Sequence, residues 1–198
     1  LLPVVHLSAY HLTYHQGTPF YTWLKKGTLK ELSETDSITQ FNTLLDESVV
    51  AGFEHYELSN FARNDMYSQH NKAYWFGKSY LGLGPSAHSF DGNSRRWNVA
   101  HLEAYINGIN KNSPFFEEEH LTGDNKFNEF ILTRIRTKWG ISLKEIEDMF
   151  GVDAAKDVKL KADKLVNEYK MVFENDRYSF TRDGLFISDS LMTEFIRV

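Results

Sequence analysis

The chain has 198 residues, of which 41% are hydrophobic and 15% aromatic, enough for the core of one or two small domains. Its 22 basic and 27 acidic residues give a net charge of -5, which disfavours nucleic acid as a partner because phosphate binding draws on clustered Lys and Arg. The chain contains no cysteine, which excludes disulfides. We expect a cytoplasmic protein without membrane insertion, because no apolar run approaches about 20 residues and no signal-peptide pattern is present.

The N-terminal third predicts a strand, a helix and a second strand. Residues 4–12 and 53–58 are rich in apolar and β-branched residues and predict strands. Between them Thr35 or Asp36 is the expected helix N-cap and Gly52 the expected C-cap, and the apolar stripe is Ile38, Phe41, Leu45 and Val49. A βαβ unit has parallel strands, so the turns after the two strands should lie at one rim.

The run Glu117-Glu118-Glu119 predicts a solvated linker between two regions, residues 1–116 and 117–198. The second region is expected to be mostly helical. Ser142 and Glu145 form a capping-box pattern. Two helical stripes are expected, made of Phe127, Phe130, Ile131 and Ile135, and of Val158, Ala162, Leu165, Val166 and Tyr169.

The remaining elements of this region are a hairpin and a last helix. Residues 171–173 and 178–180 should pair across Asn175-Asp176, and a last helix should span residues 182–196. Three helices and a hairpin predict a winged-helix-like domain. Arg134, Arg136, Lys138 and Glu129 are interpreted as one solvated helix face.

Residues 70–90 carry the densest chemistry of the chain. His70 can ligate iron, and Tyr74 and Trp75 offer broad apolar faces. Gly82 and Gly84 allow a backbone to approach a ligand where a Cβ would clash. If the segment is helical, Tyr74 shares a face with His70. The combination suits a flat, largely apolar ligand that contains iron.

A bland alternative stays open for each of these residues. A histidine beside aromatic side chains is often a packing residue, and the residue pattern alone favours that role for His70 over iron ligation. The family resemblance described below makes the two roles equal. The run 82–86 fits neither GxGxxG nor GxxxxGK[ST], so we expect a tight turn that presents Ser86 and His88. Five other histidines are not spaced as ligands of a metal ion would be: His6, His11, His55, His101 and His120.

Three sequence runs resemble a known family: HNKAYW at 70–75, GLGPSAHSF at 82–90 and YELSNFA at 56–62. They resemble the radical-SAM family of oxygen-independent coproporphyrinogen III oxidase-like proteins, and HNxxYW is typical of its HemW-type haem chaperones. The resemblance implies an α/β fold, α+β overall. Residues 1–116 would form the C-terminal part of a partial (β/α) TIM-like barrel, and residues 117–198 a HemN-C-like winged-helix-like domain.

The resemblance also implies binding residues. His70 would be the axial ligand of haem iron, with Asn71 orienting the imidazole and Tyr74 and Trp75 completing the haem-binding group. The cofactor-binding positions would be Thr13, Glu57, Asn60, Gly82, Gly84, Ser86 and His88, with Thr13 near the methionyl end of S-adenosylmethionine. The Glu57 carboxylate either points into the barrel mouth or anchors a loop, and both alternatives stay open. His15 and Gln16 depart from the pair that the family usually has before Gly17.

The family holds its 4Fe-4S cluster with a CxxxCxxC motif, and this chain has no cysteine. We therefore interpret the chain as a C-terminal fragment that is inactive as an enzyme on its own. The intact protein would bind the cluster, S-adenosylmethionine and haem, and would deliver haem to acceptor proteins in the cytoplasm.

Two alternatives to haem delivery are kept. The first is oxygen-independent coproporphyrinogen III oxidation, in which propionates are decarboxylated to vinyls. The second, of another class, is a winged-helix binding module. Its candidate recognition helix, residues 153–168, has four lysines and four acidic residues, so its charge roughly cancels.

Overall fold

The computed structural model describes residues 3–197, which divide into two units, Leu1–Tyr67 and Ser68–Val198. Each unit mixes helices with antiparallel strands, which confirms the mixed α/β class. The division lies upstream of the expected boundary at residues 116 and 117, and the domain assignment made from the sequence stays a prediction. Among the described residues, no helix is long and apolar enough to cross a membrane.

The first unit contains a three-stranded sheet and two helices. Its elements are β1 (His6–Ser8), α1 (Pro19–Lys25), α2 (Glu34–Val50), β2 (Glu54–Glu57) and β3 (Asn60–Ala62). The strand order is β1-β3-β2, and both outer strands are antiparallel to β3. β1 and β2 therefore run in the same direction without being neighbours. The predicted parallel direction of the two strands is thus present, and the tight β2–β3 connection places β3 between them.

The expected meeting of the two strand ends is also present. Ser8 at the end of β1 pairs with Asn60, and the amide of Ala9 donates to the carbonyl of Ser59 at 2.8 Å. The helix begins earlier than predicted, since Ser33 is the N-cap and its Oγ accepts from the amide of Asp36. Its C-cap is Ala51, one residue before Gly52.

The second unit begins with a helix and an antiparallel sheet of order β4-β5-β6. These elements are α3 (Gln69–Trp75), β4 (His88–Phe90), β5 (Ser94–Asn98), α4 (Leu102–Asn110) and β6 (Phe116–His120). The linker predicted from the acidic run is wrong, because residues 117–119 lie in β6. Arg95 and Arg96 of β5 stand opposite Glu119 and Glu118, so the cross-strand charges compensate each other.

The rest of the second unit follows the winged-helix order of elements, as predicted. These elements are α5 (Gly123–Arg134), β7 (Ile141–Ser142), α6 (Leu143–Phe150), α7 (Val152–Asn167), β8 (Met171–Glu174), β9 (Arg177–Phe180), α8 (Arg182–Phe186) and α9 (Ser188–Thr193). The predicted hairpin is confirmed. Asn175 and Asp176 have φ values of 51° and 60°, as a two-residue type I′ turn requires.

One hydrophobic cluster fills this part of the unit, and its buried members lie between residues 127 and 195. The four residues of the first predicted stripe all belong to it. The second stripe is confirmed at Val158, Ala162 and Leu165 but is wrong at Tyr169, which is 81% exposed because α7 ends at Asn167. The expected last helix is two short helices, since Ile187 adopts a non-helical conformation.

The predicted capping box at α6 forms by half. Ser142 Oγ accepts from the amide of Glu145, as expected. The Glu145 carboxylate instead accepts from Arg177 Nη2 at 2.7 Å and so ties α6 to β9.

Residues 121–198 alone should fold, because the described members of the hydrophobic cluster all lie inside this range. We expect the isolated piece to give a helical circular dichroism spectrum and a cooperative thermal transition. A spectrum without helix would show that the piece needs the β4-β5-β6 sheet.

Tyr178→Phe should lower the free energy of unfolding by about 1 kcal/mol, because Tyr178 is buried and its Oη donates to Asp163 Oδ1 at 2.5 Å. Hydrogen bonds from Lys159 and Tyr178 lower the pKa of Asp163, so the charged form contributes stability above its unfolded pKa and loses it as the pH falls through the folded pKa. Urea unfolding should therefore show a smaller wild-type-to-mutant difference at about pH 2.5 than at pH 7. Tyr169→Phe, at an exposed position, is the control and should change little.

Candidate functional site

α3 presents the histidine of the HNKAYW run on an exposed face. Ser68 caps the helix by accepting from the amide of Asn71. His70 and Tyr74 share a face, as expected for a helix, and their rings meet edge to face with centroids 5.1 Å apart. Trp75 turns inward and is 8% exposed, so it holds the helix against the unit and does not line the same surface.

The glycine run after α3 is the tight turn that the sequence predicts. A Cβ on Gly82 would lie 2.1 Å from the carbonyl oxygen of His88, so only glycine fits there. Gly84 has a φ of +105° and Ser86 a φ of 59°, both left-handed conformations. The turn therefore requires glycine or a residue with a small side chain at these positions.

Asn98 holds this turn, and the sequence reasoning missed it. Its side chain is buried, and Nδ2 donates to the carbonyls of Gly82 at 3.2 Å and Gly84 at 2.8 Å. Two further bonds fix the turn, from the amide of Gly82 to Ser89 Oγ and from the amide of Gly84 to Tyr105 Oη. An asparagine inside a strand-forming run was the available signal, since a buried amide requires partners.

The helix and the turn together line an open depression of about 630 Å³. It brings together five of the predicted site residues, namely His70, Tyr74, Gly82, Ser86 and His88. Leu81 and Leu83 add apolar surface that is more than three quarters exposed, and Arg95 adds a positive charge. A surface that combines imidazoles with apolar side chains can bind an apolar ligand that contains a metal.

The imidazoles of five of the eight histidines form hydrogen bonds, and those of His15, His70 and His88 form none within the described residues. Of these three, only His70 and His88 line the depression. Five histidines are engaged in structure: His6 with Tyr56, His11 with Ser37, His55 with the Leu58 carbonyl, His120 with Ser94, and His101 as the N-cap of α4. Within the described chain, the imidazoles of His70 and His88 make ring contacts and no hydrogen bond. The orientation of the His70 ring by Asn71 stays a prediction.

A second cavity of about 400 Å³, here called the aromatic cavity, adjoins the same aromatic side chains. Tyr74 and Tyr80 line both spaces, and their ring centroids are 4.4 Å apart. Burial raises the pKa of Tyr80, with a further contribution from Tyr74, so this phenol stays neutral at neutral pH. Arg95 pairs with Glu119 at 3.8 Å and with Glu129.

The three predicted residues of the first unit serve local structure. Glu57 is buried and its Oε2 accepts from Asn60 Nδ2 at 2.5 Å and from the amide of Ser59 at 3.1 Å. Asn60 Oδ1 accepts in turn from Ser8 Oγ at 2.7 Å. Of the two alternatives for Glu57, this geometry supports the loop anchor. Thr13 lies in an exposed segment between β1 and α1.

The chain does not fit an iron-sulfur cluster, which requires cysteine thiolates that the sequence lacks. Residues 3–197 also contain no group of three or more histidine or acidic side chains that could hold a metal ion. A haem iron is different, because the porphyrin supplies four ligands and the protein needs to supply only an axial imidazole. The exposed His70 fits that requirement.

A family model and two curated relatives are similar to this chain. Residues 121–187 match the family described as the HemN C-terminal domain. The chain is 30% identical over 151 residues to the heme chaperone HemW of Bacillus subtilis, covering 76% of the chain and 40% of the relative. It is 29% identical over 191 residues to the heme chaperone HemW of Mycobacterium tuberculosis, covering 96% and 47%.

A solved structure has a similar fold. The Escherichia coli coproporphyrinogen III oxidase HemN, described as a radical-SAM enzyme, matches 96% of the chain with a TM-score of 0.69 at 16% identity. The chain belongs to the HemN/HemW-like radical-SAM family. It spans about half the length, or less, of the relatives that it matches, including 47% of that HemN chain.

Family membership gives the site its context. A zebrafish relative, 39% identical over 83 residues, is named radical S-adenosyl methionine domain-containing protein 1, mitochondrial. That match covers 42% of the chain and 19% of the relative. The name of this relative states that it contains a radical S-adenosyl methionine domain.

Gly82→Ala should lower the free energy of unfolding by about 1–3 kcal/mol, because the added methyl group meets the backbone of His88 and forces the turn apart. Thermal unfolding measures the loss. Gly123→Ala is the matched control, since its Cβ would meet nothing within 4 Å. Equal stability of both variants would contradict the close approach at Gly82.

Proposed function

We propose that this chain binds haem through axial ligation by His70, within a HemW-type protein that passes haem to acceptor proteins. The observation that carries the proposal is the exposed His70 imidazole, free of hydrogen bonds in the described chain, on a depression that it shares with Tyr74 and His88. The names of the relatives from B. subtilis and M. tuberculosis support the haem-handling role.

Each lining residue has a chemical task in this proposal. His70 would donate the lone pair of a ring nitrogen to iron, and its ring contacts that of Tyr74 edge to face. Leu81 and Leu83 contact the apolar macrocycle, whose burial is worth about 25 cal/mol per Å². Ser86 and His88 face the same ligand from the turn. The amide of Asn71 donates to the Ser68 cap of α3, and Trp75 is the buried residue of this helix.

The S-adenosylmethionine assignments are also proposals for the intact protein. There Thr13 would contact the methionyl end, while Glu57 and Asn60 would shape the neighbouring turn through their mutual hydrogen bond. Gly84 would allow close backbone approach, because a Cβ there would meet nothing within 4 Å, whereas the His88 backbone occupies the place of a Cβ on Gly82. The cluster that activates S-adenosylmethionine would need thiolates that these 198 residues do not contain.

Coproporphyrinogen oxidation is the second candidate, and the observation in its favour is the fold shared with HemN of E. coli. At 16% identity this likeness supports the fold alone, whereas the relatives at about 30% identity carry the chaperone name.

A nucleic-acid-binding winged helix is disfavoured by the charges on α7. Its lysines pair with acids on the same helix, at Lys156–Asp153, Lys159–Asp163, Lys161–Asp157 and Lys164–Glu168. A helix with paired charges offers phosphate no net attraction.

His70→Ala should shift or weaken the Soret band that forms when haem is added to the wild-type chain, because the axial nitrogen is lost. Affinity should fall as well, though apolar contact with the macrocycle keeps some loose binding. His101→Asn is the control. This residue caps α4, and asparagine preserves a capping acceptor while removing an imidazole.

The proposal fails if wild type and His70→Ala give identical spectra and affinities. A Soret change in His101→Asn of the same size would indicate nonspecific adsorption to surface histidines. The same comparison in the intact protein tests whether further lining residues alter the ligation.

A further inference from the structure

Arg134, the last residue of α5, holds a half-buried positive charge with no acidic partner. Its guanidinium lies over the rings of Phe76, at 4.0 Å from the centroid, and Phe130, at 5.4 Å. Within the described chain it makes no hydrogen bond, and no carboxylate lies within 4.0 Å of it. The sequence pattern had placed this residue on a solvated helix face, which is wrong, because α5 turns it into the aromatic cavity.

Such an arrangement is costly without an anion. A guanidinium has five N–H donors, and those of Arg134 have no hydrogen-bond partner in the described chain, although they are not fully buried. Burial also lowers the pKa of Arg134, and nearby Glu145 opposes this effect. Glu145, however, is already paired with Arg177 at 2.7 Å. Stacking on two phenylalanine rings offsets part of the cost, but it satisfies none of the donors.

The aromatic cavity as a whole carries an excess of positive charge. Three cations line it, Arg95, Lys126 and Arg134, against one acid, Glu129. Arg95 neutralises Glu129. Lys126 Nζ donates to the neutral amide oxygen of Asn93 at 2.7 Å. Two cations therefore remain at a cavity that six aromatic side chains help to line.

We propose that Arg134, assisted by Lys126, binds a carboxylate of the tetrapyrrole, so that the aromatic cavity receives the propionate side of the ligand. The inference rests on the proposed function and deepens it. Flat aromatic walls match a macrocycle, and a guanidinium matches a carboxylate in a two-pronged hydrogen bond. Tyr74, Tyr80 and Arg95 line both the depression at His70 and the aromatic cavity, so the two spaces adjoin at these side chains.

The test compares iron protoporphyrin IX with its dimethyl ester, which has the same macrocycle and iron but no carboxylate charge. Binding constants of both are measured by absorbance titration of the 198-residue chain. The wild type should bind the free acid roughly tenfold more tightly than the ester, as expected for one charged hydrogen-bonded pair. Arg134→Gln should bring this ratio close to one, and Arg134→Lys should retain part of it.

Matched variants separate the contributions. Lys156→Gln removes an equal charge from an exposed site on α7 and should leave the ratio unchanged. His70→Ala should weaken both ligands together and keep the ratio, because the ester retains its iron. If thermal unfolding shows that Arg134→Gln is not folded, Lys126→Gln replaces it and should lower the ratio severalfold.

Each outcome is decisive. Equal wild-type affinity for acid and ester overturns the inference while leaving haem binding by His70 intact. An unchanged ratio in a folded Arg134→Gln variant also overturns it. Failure of the wild type to bind either compound overturns the proposed function, and this inference with it.

Discussion

The hydrogen bonds from the buried Asn98 amide to the carbonyls of Gly82 and Gly84 are the constraint on which the candidate site depends. They fix a turn whose backbone otherwise has the freedom of two glycines. Asn98 itself is fixed because β5 is the central strand of its sheet, paired on both sides. The apolar tip of the turn, at Leu81 and Leu83, is therefore displayed to solvent by a rigid support. These buried hydrogen bonds contribute a few kcal/mol, and they keep the exposed leucines in a fixed position.

The same sheet connects the site to the winged-helix part of the second unit. Arg95 of β5 bonds Glu119 on the next strand and Glu129 on α5. The ion pair of Arg95 with Glu129 thus connects β5, which supports the turn, to α5, which contains Arg134. Partly buried pairs of this kind contribute little net stability but specify one arrangement of the elements they join.

The sequence predicted the fold best where local patterns and tertiary packing agree. The stripe of α5, the hairpin at Asn175 and Asp176, and the cap at Ser142 depend on neighbours within a few residues, and all three were correct. The sequence failed where a distant strand decided the outcome. The acidic run 117–119 is polar enough for a linker and becomes a strand only because Arg95 and Arg96 lie opposite.

The candidate site shows the same division. The helix at 69–75 and the turn after it follow from local spacing, so the neighbourhood of His70 and His88 could be predicted. Asn98 and Arg134 could not, because their roles depend on which element faces them. A charged residue near the end of a helix has the same sequence pattern whether it faces water or aromatic rings.

The absence of a hydrogen-bond partner on the His70 imidazole has a kinetic consequence. A metal-binding histidine is normally held by a second bond from its other ring nitrogen, which fixes the ring and prolongs the lifetime of the complex. Here the described chain provides ring contact alone, on an open depression. A ligand bound there keeps one face near solvent, and the ring can turn away without breaking another bond. If His70 ligates haem as proposed, we expect the bound ligand to exchange quickly, with a short residence time.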